Sequence, residues 1–284
     1  MPMHERSYLF VPGNRPERFD KACASGADAV ILDLEDAVGL ADKAAARDAV
    51  CAWLAQRKPG GGPVLVRINA ADTPYYADDV RCLTAPGTAS PDGLVVPKAA
   101  SGAQLRALAA QLPGNAALLP LIETAAGFDA LRELARAPRV ARLLFGTLDF
   151  QVETGIRGTG DELLMFRSML TYESVLAGLD APVDGIAESL DDARLIHDDT
   201  TRARNLGFGA KLCIHPKQIA PVHAAFAYGA DEIDWARRVI DALERSGGAA
   251  TTVDGKMIDA PVARKAERIL RASTGAALTP ACAT

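Results

Sequence analysis

Several features that mark other classes of protein are absent from this sequence. Apolar runs such as residues 116–122 are far shorter than the roughly 18 residues that a membrane-spanning helix needs. Residues 1–7 lack the apolar segment of a secretory signal. The 31 basic and 36 acidic residues form no long block of one sign, and the net charge is −5. We therefore expect a cytoplasmic protein that binds neither membranes nor nucleic acid.

Cysteine and histidine are also scarce. The five cysteines are odd in number and widely separated: Cys23, Cys51, Cys82, Cys213 and Cys282. This spacing fits neither a disulfide framework nor a zinc site, and the four histidines form no paired motif with the cysteines. We expect reduced thiols and no cysteine nucleophile.

The composition is that of a folded protein with one large core. Hydrophobic residues make up 49% of the 284 residues and charged residues 24%, which excludes disordered and fibrous classes. A length of about 150 residues per domain would allow two domains. Barrels built from strand-helix units, however, reach about 250 residues as a single domain.

Short apolar, β-rich runs alternate with amphipathic helical stretches along most of the chain. The predicted strands are residues 8–11, 29–34, 64–68, 93–97, 118–122, 143–147, 185–187 and 211–214. The predicted helices are residues 16–24, 43–56, 75–83, 103–112, 127–135, 162–177, 190–205 and 216–227. Such alternation indicates parallel strands with crossover helices, and eight units favour a closed α/β barrel, the (β/α)8 TIM barrel.

The pattern divides the chain into a barrel over residues 1–230 and a C-terminal helical extension over residues 231–284. Within the extension, residues 232–245 and 253–272 have helical patterns, separated by Gly247 and Gly248. The extension is too short to fold alone. We expect it to pack on its own barrel or on a neighbouring subunit.

Polar residues follow the predicted strands, at the end of the barrel where active sites of this architecture lie. They are residues 33–36 (DLED), Arg67, Asn69, Lys98, Glu123, Asp149, Glu188 and His215. Glu123 and Asp149 end adjacent strands, and two carboxylates without cysteine or paired histidine suit Mg²⁺. A single acid at a strand end more commonly caps a helix or pairs with arginine. Several converging positions favour the metal.

Two basic features leave alternatives open. Arg67 suits a substrate carboxylate or a developing enolate oxygen, but an ion pair with Glu35 or Asp36 is as good an interpretation. Arg15 and Lys21 lie where strand one turns into a helix, and they can hold phosphates or form a solvated surface.

Seven short strings, in order along the chain, resemble the citrate lyase beta-subunit-like family of the HpcH/HpaI aldolase/citrate lyase superfamily. They are residues 7–15 (SYLFVPGNR), 33–38 (DLEDAV), 66–69 (VRIN), 97–98 (PK), 121–124 (LIET), 214–216 (IHP) and 255–261 (GKMIDAP). Each string alone is a weak signal. Their combination and their span, from residue 7 to about residue 270, are specific.

The resemblance implies a TIM barrel that binds Mg²⁺ and a coenzyme A (CoA) thioester and assembles as a homotrimer or hexamer. By position, Glu123 and Asp149 become the metal ligands and Arg67 the substrate-binding residue. Glu35 and Asp36 would hold metal-bound waters. Phe10, Arg15 and Lys21 match positions that hold the CoA adenine and phosphates. Asp259 matches an acid that closes over a neighbouring subunit's site, although on its own residues the C-terminal segment is simply a docking helix.

The expected activity is Mg²⁺-dependent cleavage of a carbon–carbon bond in a short 3-hydroxyacyl-CoA. Citramalyl-CoA and malyl-CoA are preferred over citryl-CoA as substrates, and the products would be acetyl-CoA and a 2-oxoacid. The alternatives are a hydroxyacyl-CoA thioesterase or synthase, a metal aldolase that needs no CoA, and a non-catalytic subunit of a citrate-lyase-type complex.

Overall fold

A computed structural model of the chain describes residues 5–58, 60–85, 87 and 89–273. These residues divide into two compact units, one from Glu5 to Phe226 and one that begins at Ala227. The first unit contains the predicted barrel.

The barrel of the first unit has eight parallel strands that close on themselves in sequence order. They are β1 (Ser7–Pro12), β2 (Ala29–Asp33), β3 (Val64–Arg67), β4 (Gly93–Val96), β5 (Ala117–Ile122), β6 (Leu144–Phe145), β7 (Val183–Asp184) and β8 (Ala210–Cys213). Residues in β2, β3 and β4 are buried throughout, because one side of each strand fills the barrel and the other packs against helices. The predicted TIM-barrel fold is confirmed.

Ten α-helices belong to the first unit as described. They are α1 (Phe19–Cys23), α2 (Lys43–Gln56), α3 (Tyr76–Thr84), α4 (Gly102–Ala109), α5 (Ala125–Asp129), α6 (Leu131–Ala135), α7 (Thr147–Thr154), α8 (Leu164–Leu176), α9 (Ala193–Asn205) and α10 (Ile219–Phe226). Short 3-10 turns precede α1, α2, α8 and α10. Across the described part of the chain, no helix combines the length and apolarity that crossing a membrane requires.

The structure corrects two of the predicted strands. The seventh strand is Val183–Asp184 rather than residues 185–187, and β6 ends at Phe145. The apolar run after β6 does not continue as a strand to Asp149, because helix α7 begins at Thr147. A short apolar run fits a buried strand and the start of a helix equally well, so its pattern could not separate the two.

The structure also corrects the expectation of five reduced thiols. Cys51 on α2 and Cys82 on α3 form a disulfide. The two helices are neighbours, and Arg47 on α2 contacts Asp79 on α3 at 3.4 Å. The 31-residue separation in sequence gave no sign of this proximity. Cys23 and Cys213 are free, and Cys282 lies outside the described residues.

The second unit consists of α11 (Ala230–Arg245), a hairpin of β9 (Thr251–Val253) and β10 (Lys256–Ile258), and α12 (Ala260–Ser273). The two helices and the hairpin share a small apolar core of Ala236, Val239, Ile258, Ala266 and Ile269. The helical patterns did not reveal the hairpin. Its signal is the turn Asp254-Gly255, where both residues have positive φ angles of 49° and 73°. Packing of this unit on a neighbouring subunit stays a prediction.

A buried ionic network joins the barrel to its helical layer. The Lys211 ammonium on β8 lies 2.9 Å from Asp184 on β7 and 2.6 Å from Asp199 on α9. Arg167 on α8 contacts the other oxygen of Asp184 at 2.8 Å. Burial alone would raise the pKa of Asp184, but Lys211 and Arg167 outweigh burial and hold that pKa below its usual value. The network therefore depends on all of its charges being present.

Replacing Lys211 with methionine tests this dependence. We expect Lys211→Met to lower the free energy of unfolding by about 3 to 5 kcal/mol, because Asp184 and Asp199 lose a buried partner. Urea denaturation measures the change. The matched control is Lys217→Met, which breaks the exposed Lys217–Asp191 pair and should leave the midpoint almost unchanged. Equal shifts in the two variants would contradict the prediction.

Candidate active site

The most tightly held group at the mouth of the barrel is the Arg67 guanidinium. Arg67 ends β3, and Asp33, at the end of β2, is its register partner. Arg67 donates from Nε to Asp33 Oδ1 at 2.7 Å and from Nη2 to Asp33 Oδ2 at 2.6 Å. This bidentate pair fixes the plane of the guanidinium. Sequence reasoning missed Asp33 as a site residue, although it begins the DLED string.

The remaining side of Arg67 faces further acids and an aromatic ring. Its Nη1 lies 3.0 Å from Glu35 Oε2 and 3.1 Å from Asp36 Oδ2. Its guanidinium carbon lies 4.7 Å from the centroid of the Phe10 ring. The ion pair that the sequence left as one alternative is therefore present. Burial would lower the pKa of Arg67, but the surrounding carboxylates raise it, so the guanidinium stays charged.

A buried lysine shapes the loop that carries these acids. The Lys43 ammonium donates to the carbonyl oxygens of Leu34 and Glu35, each at 2.7 Å. Asp33 accepts the backbone N–H groups of Glu35 and Ala37 at 2.9 and 3.0 Å. The segment after β2 is thus held at both ends, which keeps Glu35 beside Arg67. Neither support was predicted from the sequence.

Glu123 directly follows β5 and is only 2% exposed. Its Oε1 accepts the backbone N–H of Lys98 at 2.7 Å. Gly146 lies against the other side of the Glu123 carboxylate, where a β-carbon would collide with it. The carboxylate is therefore fixed between two backbone groups. Lys98 adopts a positive φ of 48°, a conformation that glycine adopts more readily than lysine. This conformation directs the Lys98 N–H toward Glu123.

Asp149 is the third residue of α7, not the last residue of a strand as the sequence predicted. Its carboxylate is still near enough for its charge to act on Glu123 and on Lys98. Burial, followed by the charges of Glu35 and Asp149, raises the pKa of Glu123 to about 8. Burial, with Asp36 adding to it, raises the pKa of Glu35 to about 7 against the opposing effects of Arg67 and Lys98. With both of these carboxyls ionised, the cluster would carry more negative charge than its cations balance.

These features fit a divalent cation. Glu35 Oε1 is buried and has no hydrogen-bond partner, since the Lys98 ammonium approaches it only to 3.6 Å, and burial together with neighbouring acids raises the pKa of Glu123. A hard cation such as Mg²⁺ would satisfy both, since it uses one or two carboxylates together with water and substrate oxygens. Among the residues placed by the structure, no group of three or more His, Cys, Asp or Glu side chains forms a metal site. The residues therefore fit an open metal site, in which the protein supplies few of the ligands.

The other predicted site residues are spread over both units. Phe10 lies at the mouth beside Arg67. Arg15 is exposed and pairs with Glu17 at 2.7 Å, and Lys21 is exposed on α1. Asp259 belongs to the second unit, where its side chain accepts the backbone N–H of Val262 at 3.3 Å at the start of α12. The structure thus brings Phe10 to the acidic cluster and leaves Arg15 and Lys21 on the surface beyond β1.

A closed parallel barrel with acids and an arginine at the carboxyl ends of its strands defines a TIM-barrel protein with a candidate active site at its mouth. Comparison with known proteins narrows this class. The chain belongs to the HpcH/HpaI aldolase/citrate lyase family, which matches residues 6–216. The resemblance drawn from the sequence strings is confirmed.

Relatives over nearly the full length carry two kinds of name. A citrate lyase subunit beta-like protein of Deinococcus radiodurans is 36% identical over 277 residues, covering 93% of this chain and 96% of the relative. A (3S)-malyl-CoA thioesterase of Cereibacter sphaeroides is 34% identical over 258 residues, covering 89% of each.

Among solved structures, the Mycobacterium tuberculosis protein CitE in complex with magnesium, acetoacetate and coenzyme A has a TM-score of 0.83. It is 33% identical and covers 96% of this chain and 100% of its own. RipC from Yersinia pestis has a TM-score of 0.70 at 33% identity, over 81% of this chain and 98% of its own.

The raised pKa values of Glu35 and Glu123 predict how stability depends on pH. Each carboxyl binds its proton more tightly in the folded state than in the unfolded state. Their contribution is therefore fully present below the unfolded pKa of about 4.3 and is lost as pH rises through about 7 to 8. Urea unfolding between pH 5 and 9 in EDTA should show this decline.

Two variants test whether the acids at the barrel mouth cause this decline in stability with rising pH. Glu123→Gln should flatten the fall in stability above neutral pH, because the amide does not titrate. Glu133→Gln, which alters an exposed pair with Arg106, should keep the slope of the unaltered protein. A slope that persists in Glu123→Gln would contradict the assignment.

Proposed function

We propose that this protein is a Mg²⁺-dependent carbon–carbon lyase that cleaves a short 3-hydroxyacyl-CoA to acetyl-CoA and a 2-oxoacid. The observation that carries the proposal is a pair of buried carboxylates with raised pKa values, Glu35 and Glu123, beside a fixed arginine at the barrel mouth. Support also comes from the CitE structure, which holds magnesium, acetoacetate and coenzyme A. Citramalyl-CoA and malyl-CoA are the first candidates, ahead of citryl-CoA.

Glu123 and Asp149 would hold the metal, with Glu35 and Asp36 orienting its waters. Bound there, Mg²⁺ would polarise substrate oxygens as a Lewis acid. The chain's own contribution is to hold these acids in place before substrate arrives. Glu123 is fixed by the Lys98 N–H and by the close approach of Gly146. Asp149 sits in the first turn of α7, where the helix dipole favours a carboxylate.

Arg67 would stabilise the negative charge that develops on the substrate oxygens when the carbon–carbon bond breaks. Because Asp33 fixes its plane, the guanidinium needs no rearrangement during the reaction. Phe10, Arg15 and Lys21 would hold the CoA, the two cations by pairing with its phosphates. Asp259, from the second unit of a neighbouring subunit in a homotrimer or hexamer, would exchange a proton with the methyl carbon of acetyl-CoA.

A thioesterase is the second candidate. It is favoured by the Cereibacter sphaeroides relatives that carry the name (3S)-malyl-CoA thioesterase. The same acids and arginine would bind the hydroxyacyl-CoA, but water would then attack the thioester.

In the deciding assay, purified protein is incubated with Mg²⁺ and, in separate reactions, with citramalyl-CoA, malyl-CoA or citryl-CoA. Parallel reactions contain EDTA as a control. Metal-dependent release of acetyl-CoA with an oxoacid supports the lyase and identifies its substrate. Free CoA without an oxoacid supports the thioesterase. If none of the three is turned over, the CoA lyase is wrong, and a CoA-free aldolase or a non-catalytic complex subunit takes its place.

Glu123→Ala tests the proposed metal ligand. We expect turnover of the preferred substrate to fall on the order of 100-fold or more, because the metal loses a ligand. Glu133→Ala, which removes a half-exposed glutamate from α6, is the matched control and should keep normal turnover. Near-normal activity of Glu123→Ala with metal still bound would contradict the assignment.

A further inference from the structure

Lys98 is a charged residue of the barrel mouth whose side chain has no role in the proposed reaction. Its ammonium lies 3.6 Å from Glu35 Oε1, and its side chain is 44% exposed. The carboxylates of Glu35, Asp36, Glu123 and Asp149 all interact with it electrostatically. It therefore stands among the acids that would surround a divalent cation.

The two ends of Lys98 are held very differently. Its main chain is fixed, because the left-handed conformation at φ 48° places its N–H on Glu123 at 2.7 Å. Its ammonium is outside hydrogen-bond distance of Glu35 and half in solvent. Because the Lys98 backbone is fixed and its long side chain is loosely held, the ammonium can move without displacing Glu123.

Arg67, like the buried Lys43, does not have this freedom. Three of its nitrogens contact Asp33, Glu35 and Asp36 within 3.1 Å, and the residue is 8% exposed. When a divalent cation enters, repulsion acts on both positive groups, but only the Lys98 ammonium can be displaced.

We propose that Lys98 is a metal-coupled anion switch. In the metal-free protein its ammonium is a second counter-ion of Glu35, on the oxygen that Arg67 does not contact. When a divalent cation takes over that charge balance, the ammonium turns away from Glu35 and binds the carboxylate of the 2-oxoacid. The second step rests on the proposed function, and the first step does not.

The first measurement is Mg²⁺ affinity by titration calorimetry. Lys98→Met removes the competing charge, so we expect Mg²⁺ to bind roughly threefold to tenfold more tightly. Lys98→Arg keeps the charge and should stay within about twofold of the unaltered protein. Lys217→Met removes another cation, whose exposed partner is Asp191, and should also leave the affinity within about twofold.

The second measurement is binding of pyruvate and of glyoxylate at saturating Mg²⁺. Here Lys98→Met should bind the oxoacid at least about fivefold more weakly, because the released ammonium is missing. Lys98→Arg should restore much of the loss. A residue with a merely structural role would weaken both ligands, so opposite effects on metal and oxoacid are the signature of the switch.

Lys98→Gly guards against a folding artefact, because glycine adopts the positive φ without strain and also lacks the ammonium. It should repeat both shifts of Lys98→Met. If the unaltered protein binds Mg²⁺ and the two variants bind it no more tightly, the switch is wrong while the proposed function stands. If the unaltered protein binds no Mg²⁺, the proposed function is wrong and the switch with it.

Discussion

The candidate site depends on the bidentate pair between Asp33 and Arg67. The two residues are register partners at the ends of β2 and β3, so the barrel itself sets their separation. With both oxygens of Asp33 engaged, Arg67 presents its remaining nitrogen to Glu35 and Asp36. Asp33 engages two of the three guanidinium nitrogens, and Glu35 and Asp36 share the third. One arginine thus faces three acids, which makes the mouth suited to a further cation.

Clustered carboxylates are unfavourable in the metal-free protein, and the surrounding groups explain how they are nevertheless held in place. Burial and the neighbouring acids disfavour the ionised form of Glu123. The Lys98 N–H and the bare Cα of Gly146 hold it in place with backbone groups, which do not rearrange. Lys43 does the same for the loop that carries Glu35. Charge is concentrated where a ligand can use it, and backbone groups together with the buried Lys43 ammonium provide the rigidity.

The fold and most of the site could be predicted from the sequence because both follow from short-range patterns. Eight apolar runs followed by helices specify a barrel, and polar residues at the run ends specify its mouth. The supports could not be predicted in this way. Asp33 and Lys43 act through contacts between segments, and the disulfide between Cys51 and Cys82 depends on two helices being neighbours. Asp149 was placed on a strand because its apolar neighbours suit a strand and a helix equally well.

The displacement of Asp149 onto α7 changes how the two proposed metal ligands relate to each other. Glu123 follows a strand of the barrel wall, whose position is fixed by hydrogen bonds to β4 and β6. Asp149 instead lies in the first turn of a helix that follows a two-residue strand, and its side chain is half-buried. One proposed ligand is therefore anchored directly to the sheet, whereas the other is carried by a helix.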